Sequence, residues 1–142
     1  MTTSPDARAT AERQLCGLVN GLAQQIAQHV QARAATLGLT APQATALREM
    51  SGPLTMRELA ERMSCEPSNA TFVVDKLEKQ GLVERHAHPT DRRAKRISLT
   101  PEGAALRERL LDLLSEHSPL GALSAEQQSV LHDLLRQALV RN

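Results

Sequence analysis

Thr55-Met56-Arg57-Glu58-Leu59-Ala60-Glu61-Arg62-Met63, Ser64-Cys65-Glu66 and Pro67-Ser68-Asn69-Ala70-Thr71-Phe72-Val73-Val74 form the stretch that decides the fold. Thr55 and Glu58 stand at the spacing of a capping box, in which a hydroxyl and a carboxylate take up free N–H groups of a first helical turn. Leu54 and Leu59 flank them as a hydrophobic staple does. The spacing predicts a helix over 56–63. A second helix starts after Cys65, with Pro67 at its first position, where a missing N–H does no harm. Its cap is Ser64 or the weaker Glu66. Ala70, Val73, Val74 and Leu77 give this helix one buried face, and Gly81 suits the left-handed residue that ends it. Two short helices joined by a tight turn have the dimensions of a helix-turn-helix.

Outward from this pair, Leu82 to His86 and Lys95 to Leu99 are short β-like runs. The polar loop Ala87-His88-Pro89-Thr90-Asp91-Arg92-Arg93-Ala94 lies between them, so the segment reads as a β-hairpin with a long tip. From Asp6 to about Leu37, Leu15, Leu18, Val19, Leu22, Ile26 and Val30 recur at helical spacing. Gly17 and Gly21 each cost this helix ~1 kcal/mol against Ala, so it needs tertiary or intersubunit support. Thr40-Ala41-Pro42-Gln43, Thr100-Pro101-Glu102 and Ser124-Ala125-Glu126-Gln127 are three more helix starts, of helices over about 41–50, 101–116 and 125–140. The fold class is mainly α with one small β-hairpin.

The chain has 142 residues, 41% of them hydrophobic, which fits one folded domain rather than a disordered chain. Its apolar runs are only a few residues long, which excludes a transmembrane helix, and no membrane partner is expected. The N-terminus lacks the basic start and apolar stretch of a secretion signal. Two Cys make no disulfide framework, so a reducing, cytoplasmic setting is expected. With no Trp or Tyr and Phe72 alone, stacking on single-stranded nucleic acid is not supported. No nucleophile motif, phosphate-cradling Gly loop or supported carboxylate pair is present, so no enzyme and no cofactor is expected.

The net charge is only +1, but its distribution is uneven. Residues 85–96 hold Arg85, Arg92, Arg93, Lys95 and Arg96 against Asp91 alone, so this hairpin carries +4 and the rest of the chain −3. Such a patch is the footprint of phosphate contact, although a charge run on a turn is also what a solvated loop looks like. At the start of the second helix, Ser68, Asn69 and Thr71 are small hydrogen-bonding residues. Asn is shaped to pair with adenine, and Thr to meet a thymine methyl, in a major groove. The alternative is that Ser68 and Asn69 only satisfy free N–H groups of the first turn.

The ordered set of motifs resembles the MarR winged-helix regulators. Pro53-Leu54-Thr55-Met56-Arg57-Glu58-Leu59-Ala60 is similar to their first helix-turn-helix helix. Ser68-Asn69-Ala70-Thr71, Val74-Asp75-Lys76-Leu77-Glu78 and Gly81-Leu82-Val83-Glu84-Arg85 resemble the recognition helix and its exit. Asp91-Arg92-Arg93-Ala94-Lys95 and Leu99-Thr100-Pro101-Glu102-Gly103 resemble the wing and the helix after it.

The resemblance implies one MarR-like domain over 1–142: dimerisation helices at about 8–37 and 101–142, and a winged-helix DNA-binding region at about 39–100. It implies a homodimeric, sequence-specific, double-stranded-DNA-binding regulator, a repressor released by a small-molecule effector, on a pseudo-palindromic operator. Leu106, Leu110, Leu113 and Leu114, and Val130, Leu131, Leu134, Leu135, Ala138 and Leu139, are apolar stripes in excess of what a winged helix buries, in keeping with a dimer. By position, Ser68, Asn69, Thr71 and Phe72 match groove-facing residues and Arg92 the wing tip. Asp91 and Arg93 match a pair that shapes the wing, Arg93 also lying near DNA. Lys76, Lys79 and Lys95 are candidates for phosphate contact.

Gln14-Leu15-Cys16 resembles the surroundings of the reactive Cys in the family's organic-hydroperoxide sensors, which makes Cys16 a redox candidate; the alternative is a packing Cys beside the apolar stripe. In those sensors Tyr residues help to activate the Cys, and this chain has no Tyr. His86 and His88 could hold a metal only with a third ligand, so no metal is expected. His117 and His132 are expected on helix faces near the dimer region. A winged helix serving as a protein-interaction module, without DNA, is the remaining alternative.

Overall fold

The computed structural model describes residues 4–91 and 93–140, so Arg92 lies outside the described residues. The elements run α1 (Pro5–Thr36), α2 (Ala41–Glu49), β1 (Leu54–Thr55), α3 (Met56–Met63), α4 (Pro67–Lys79), β2 (Val83–Ala87), β3 (Lys95–Leu99), α5 (Pro101–Ser115) and α6 (Ala125–Leu139). The chain forms two compact units: residues 27–114, and the described residues up to 26 together with those from 115 onward.

In the unit 27–114, the local chemistry sets the helix starts. Thr40 and Thr55 each accept the N–H of the third helical residue, Gln43 at 3.3 Å and Glu58 at 3.2 Å. Gln43 and Glu58 return the bond to the Thr N–H at 2.9 and 3.0 Å. Leu54 and Leu59, the staple pair, are both buried. Ser64 turns left-handed with φ 55 and ends α3, and Gly81, φ 75, follows α4. Glu66 caps α4 without a side-chain bond. The core gathers Leu47, Met50, Leu54, Leu59, Val74, Leu77, Ile97 and Leu110.

The sheet has three strands in the order β1-β3-β2, all antiparallel. β1 is an addition to the expected hairpin: it pairs Leu54 with Ile97 and Thr55 with Arg96. Two residues are too few to show strand periodicity in a sequence.

Side chains close the helix ends that have no partner of their own. Arg107 donates to the carbonyls of Leu47 (2.9 Å) and Arg48 (3.0 Å), and Arg62 to that of Glu49 (3.0 Å), all in the last turns of α2. The imidazole of His29 bonds the Leu114 carbonyl at 2.8 Å, and Arg33 donates to that of Leu113 at 3.2 Å. The base of the hairpin is fixed to α5 through Gly103. Its N–H reaches the Thr100 hydroxyl (3.0 Å), which donates to the Gly81 carbonyl (2.6 Å), while Thr100 N–H reaches the Leu82 carbonyl (3.0 Å).

In the other unit, α6 starts at the expected capping box: Ser124 accepts the Gln127 N–H at 3.1 Å, and Gln127 accepts the Ser124 N–H at 2.9 Å. None of the residues of α6 is buried. Leu15, Leu18, Val19, Val130, Leu134 and Leu139 are exposed. A cavity of about 540 Å³ is lined by Leu15, Cys16, Val19, Asn20, Leu131, Leu134, Leu135 and Ala138. His132 is on α6, but His117 is not on a helix face: it sits in the turn after α5 with φ 52. Among the described residues no helix is long and apolar enough to cross a membrane.

Candidate nucleic-acid interface

α4 divides cleanly into two faces. Ala70, Val73, Val74 and Leu77 are buried against the body, while Ser68, Asn69, Phe72, Lys76 and Lys79 are exposed. This follows from the sequence, because the four apolar residues recur at three- and four-residue spacing and leave the polar ones on the opposite arc. Thr71 is half-buried at the edge, and its hydroxyl donates to the Pro67 carbonyl at 2.9 Å. Phe72 is 61% exposed. The Lys76 ammonium lies 4.5 Å from the centroid of its ring.

The wing brings further cations beside this helix. Arg93 and Lys95, both exposed, line a cavity of about 380 Å³ together with Thr71 of α4, Thr55, Met56 and Arg57 at the start of α3, and Arg85, Ala94 and Ile97. Thr71, Arg93 and Lys95 are thus brought together. Cys16 belongs to the other unit. The wing tip is held by local bonds. His88 Nδ1 accepts the N–H groups of Thr90 (3.2 Å) and Asp91 (3.1 Å), and Asp91 Oδ1 accepts that of Arg93 (3.0 Å).

Arg85 differs from its place in the charge count. Strand alternation puts it on the same side of β2 as buried Val83, opposite Ile97. There it pairs with Asp75 of α4 by a short ion pair and with Glu78 at 3.5 Å. Its charge is therefore committed to the helix and does not add to the free positive surface.

The sequence did not single out Arg57 as a functional residue. It is a cation in the first turn of α3, where the helix dipole favours anions, and that misfit was the available signal. Its guanidinium stands 3.8 Å from Glu61, with its side chain 88% exposed. Glu58, beside it, has its carboxyl held below the ordinary value, first by the Thr55 backbone N–H, then by the Thr55 hydroxyl, with Arg62 and Arg96 adding to it. Among the described residues no group of three or more His, Cys, Asp or Glu could hold a metal ion.

A helix-turn-helix whose second helix is polar outside, followed by a basic hairpin on a small sheet, is a winged helix. The sequence profile of the MarR family matches residues 39–95. The organic hydroperoxide resistance transcriptional regulator of Bacillus subtilis is 28% identical over 137 residues, spanning 92% of this chain and 93% of that protein. The transcriptional repressor MdtR of the same organism is 37% identical over 82 residues, spanning 50% of this chain and 53% of MdtR. Among solved structures, wild-type MarR from E. coli superposes with TM-score 0.69 at 27% identity, covering 89% of this chain and 96% of that one. A mutant MarR from E. coli complexed with operator DNA superposes with TM-score 0.71 at 26% identity, covering 89% and 94%. The chain is thus similar to the MarR family over residues 39–95, and the relatives it matches are named as transcriptional regulators.

Proposed function

We propose that the chain is a homodimeric, sequence-specific double-stranded-DNA-binding repressor released by a small-molecule effector. The observation that carries this reading is the exposed stripe Ser68, Asn69, Phe72 and Lys76 on α4, adjoined by the cations Arg93 and Lys95 of the wing. In this reading α4 enters the major groove, Asn69 and Ser68 meet base edges, and Lys76, Lys79 and Lys95 meet phosphates. Arg92 and Arg93 of the wing approach the flanking groove. The neighbour bound to operator DNA supports it. Residues of about 8–37 and 101–142 form the dimerisation helices in this reading, since Leu15, Leu18 and Val19, and Val130, Leu134, Leu135 and Leu139, stand open in the single chain. A two-fold dimer sets the two recognition helices about 34 Å apart, so the site is a pseudo-palindrome.

The test is a titration of duplex DNA at several salt concentrations. The expected result is a steep fall of affinity with salt and a preference for one palindromic site over scrambled duplex. A chain that stays monomeric, or binds no duplex at low salt, overturns the reading.

A second reading places control of DNA release in Cys16. Two observations favour it: Cys16 lines the apolar cavity of about 540 Å³, and a relative spanning most of the chain is named for organic hydroperoxide resistance. Release from DNA on adding an organic hydroperoxide, abolished in Cys16→Ser, is its expected outcome. Release that persists in Cys16→Ser refutes it.

A further inference from the structure

The proposed recognition helix carries one aromatic residue, and its surroundings say what base it suits. We infer that Phe72 is a specificity-determining residue that packs on the 5-methyl group of a thymine in the major groove. The inference rests on the DNA-binding reading above and adds a base to it.

Phe72 is the only aromatic residue of the chain. A lone exposed apolar side chain is ordinary on a protein surface, so exposure alone says little. Its place says more. It shares the outer face of α4 with Ser68, one turn before it, and Lys76, one turn after it. The carboxylates of the same helix, Asp75 and Glu78, pair with Arg85 instead. The face around the ring is therefore polar or positive, which suits an anionic duplex.

The Lys76 ammonium, 4.5 Å from the ring centroid, stacks on the ring by a cation–π contact. That contact restrains the ring and leaves its edge and its other side free. A restrained ring loses little freedom on binding. Base edges in the major groove present hydrogen-bonding groups and one apolar group, the thymine methyl. A phenyl ring has no donor or acceptor, so that methyl is its only favourable partner there. Thr71, the other residue suited to a methyl, sits half-buried at the edge of the face, with its hydroxyl turned to Pro67. Hydrogen-bond readout then falls to Ser68 and Asn69, and apolar readout to Phe72.

The experiment starts from a duplex selected out of a random 20-base-pair pool by the full chain. Each thymine is replaced in turn by uracil, which lacks only the methyl, and affinity is read by fluorescence anisotropy at fixed salt. One thymine in each half-site should lose about three- to fivefold on replacement, the worth of one buried carbon. In Phe72→Ala that loss should vanish at the same position. Because the uracil scan uses the unaltered chain, it stands whether or not the variant folds. If uracil is tolerated everywhere, or if the loss survives in Phe72→Ala, while the selected duplex is still preferred over a scrambled one, the assignment of Phe72 is overturned and the DNA-binding reading stands. If no duplex is preferred, both are overturned.

Discussion

Replacing Gly103 by Ala should destabilise the protein, against the usual direction for a glycine inside a helix. At an ordinary interior position the change gains ~1 kcal/mol from helix propensity. At Gly103 the new Cβ would lie 1.9 Å from the Leu82 carbonyl oxygen, 2.9 Å from its carbon and 3.3 Å from its Cα. Carbon–oxygen contacts settle at about 3.3–3.6 Å, so strand entry and helix must part by about 1.4 Å or more. The obstacle is backbone and cannot rotate away. The same carbonyl accepts the Thr100 N–H, and Thr100 also ties Gly81 to Gly103. Loosening two of these bonds costs ~1 kcal/mol each, and overpacking adds ~1–3 kcal/mol. After the propensity gain is subtracted, the net loss is ~2–4 kcal/mol. Urea unfolding followed by circular dichroism at one fixed protein concentration measures it, since the stability of any chain that self-associates depends on concentration. Ala104→Gly, on the exposed side of the same turn, is the control and should cost ~1 kcal/mol. A Gly103→Ala chain as stable as the parent refutes the close approach of α5 to the hairpin base.

Three further outcomes follow from the site. Asn69→Ala should lose ~1–3 kcal/mol on the selected duplex and far less on random DNA, and equal losses would assign Asn69 to the helix turn instead. Lys95→Gln should weaken binding to all duplexes alike and lower the salt slope by about one per subunit, read from anisotropy titrations across salt. Glu58→Gln should flatten the acid side of the stability profile. The folded carboxyl of Glu58 titrates below its ordinary value of 4.5, so the unfolded chain binds the proton first as pH falls. Its stabilisation is whole above that ordinary value and is lost as pH drops through the lowered one. Urea melts at about pH 7 and about pH 3.5 should show the gap between parent and variant closing in acid, and a constant gap refutes the assignment.

Much of the fold was legible because the starts of α2, α3 and α6 carry their own local chemistry. Thr40 with Gln43, Thr55 with Glu58 and Ser124 with Gln127 form reciprocal boxes that need no tertiary context to be recognised. Apolar spacing likewise gave the buried face of α4. β1 was not legible, since its two residues earn strand geometry only by pairing with β3, a partner distant in sequence. His117 was misplaced for a related reason: the last turn of α5 ends at Ser115, and the chain then takes a left-handed turn without a glycine to mark it.

The candidate site was legible in its residues and less so in its charges. A hairpin with five cations looks uniformly basic as a string. Folding sorts those cations by strand parity and by which helix lies underneath. Arg85, opposite Ile97, turns to Asp75 and Glu78, while Lys95 and Arg93 stay at the surface. A charge already paired releases few counterions when DNA arrives, so Arg85 should not enter the salt dependence. Arg85→Gln is therefore expected to leave the salt slope of DNA binding unchanged, in contrast to Lys95→Gln. Its effect should fall instead on preference among sequences, because it frees two carboxylates on α4, the proposed recognition helix, and loosens the tie between α4 and β2. A salt slope that drops by one per subunit in Arg85→Gln would mean that the guanidinium leaves Asp75 for a phosphate, and the division between structural and DNA-facing cations would fail.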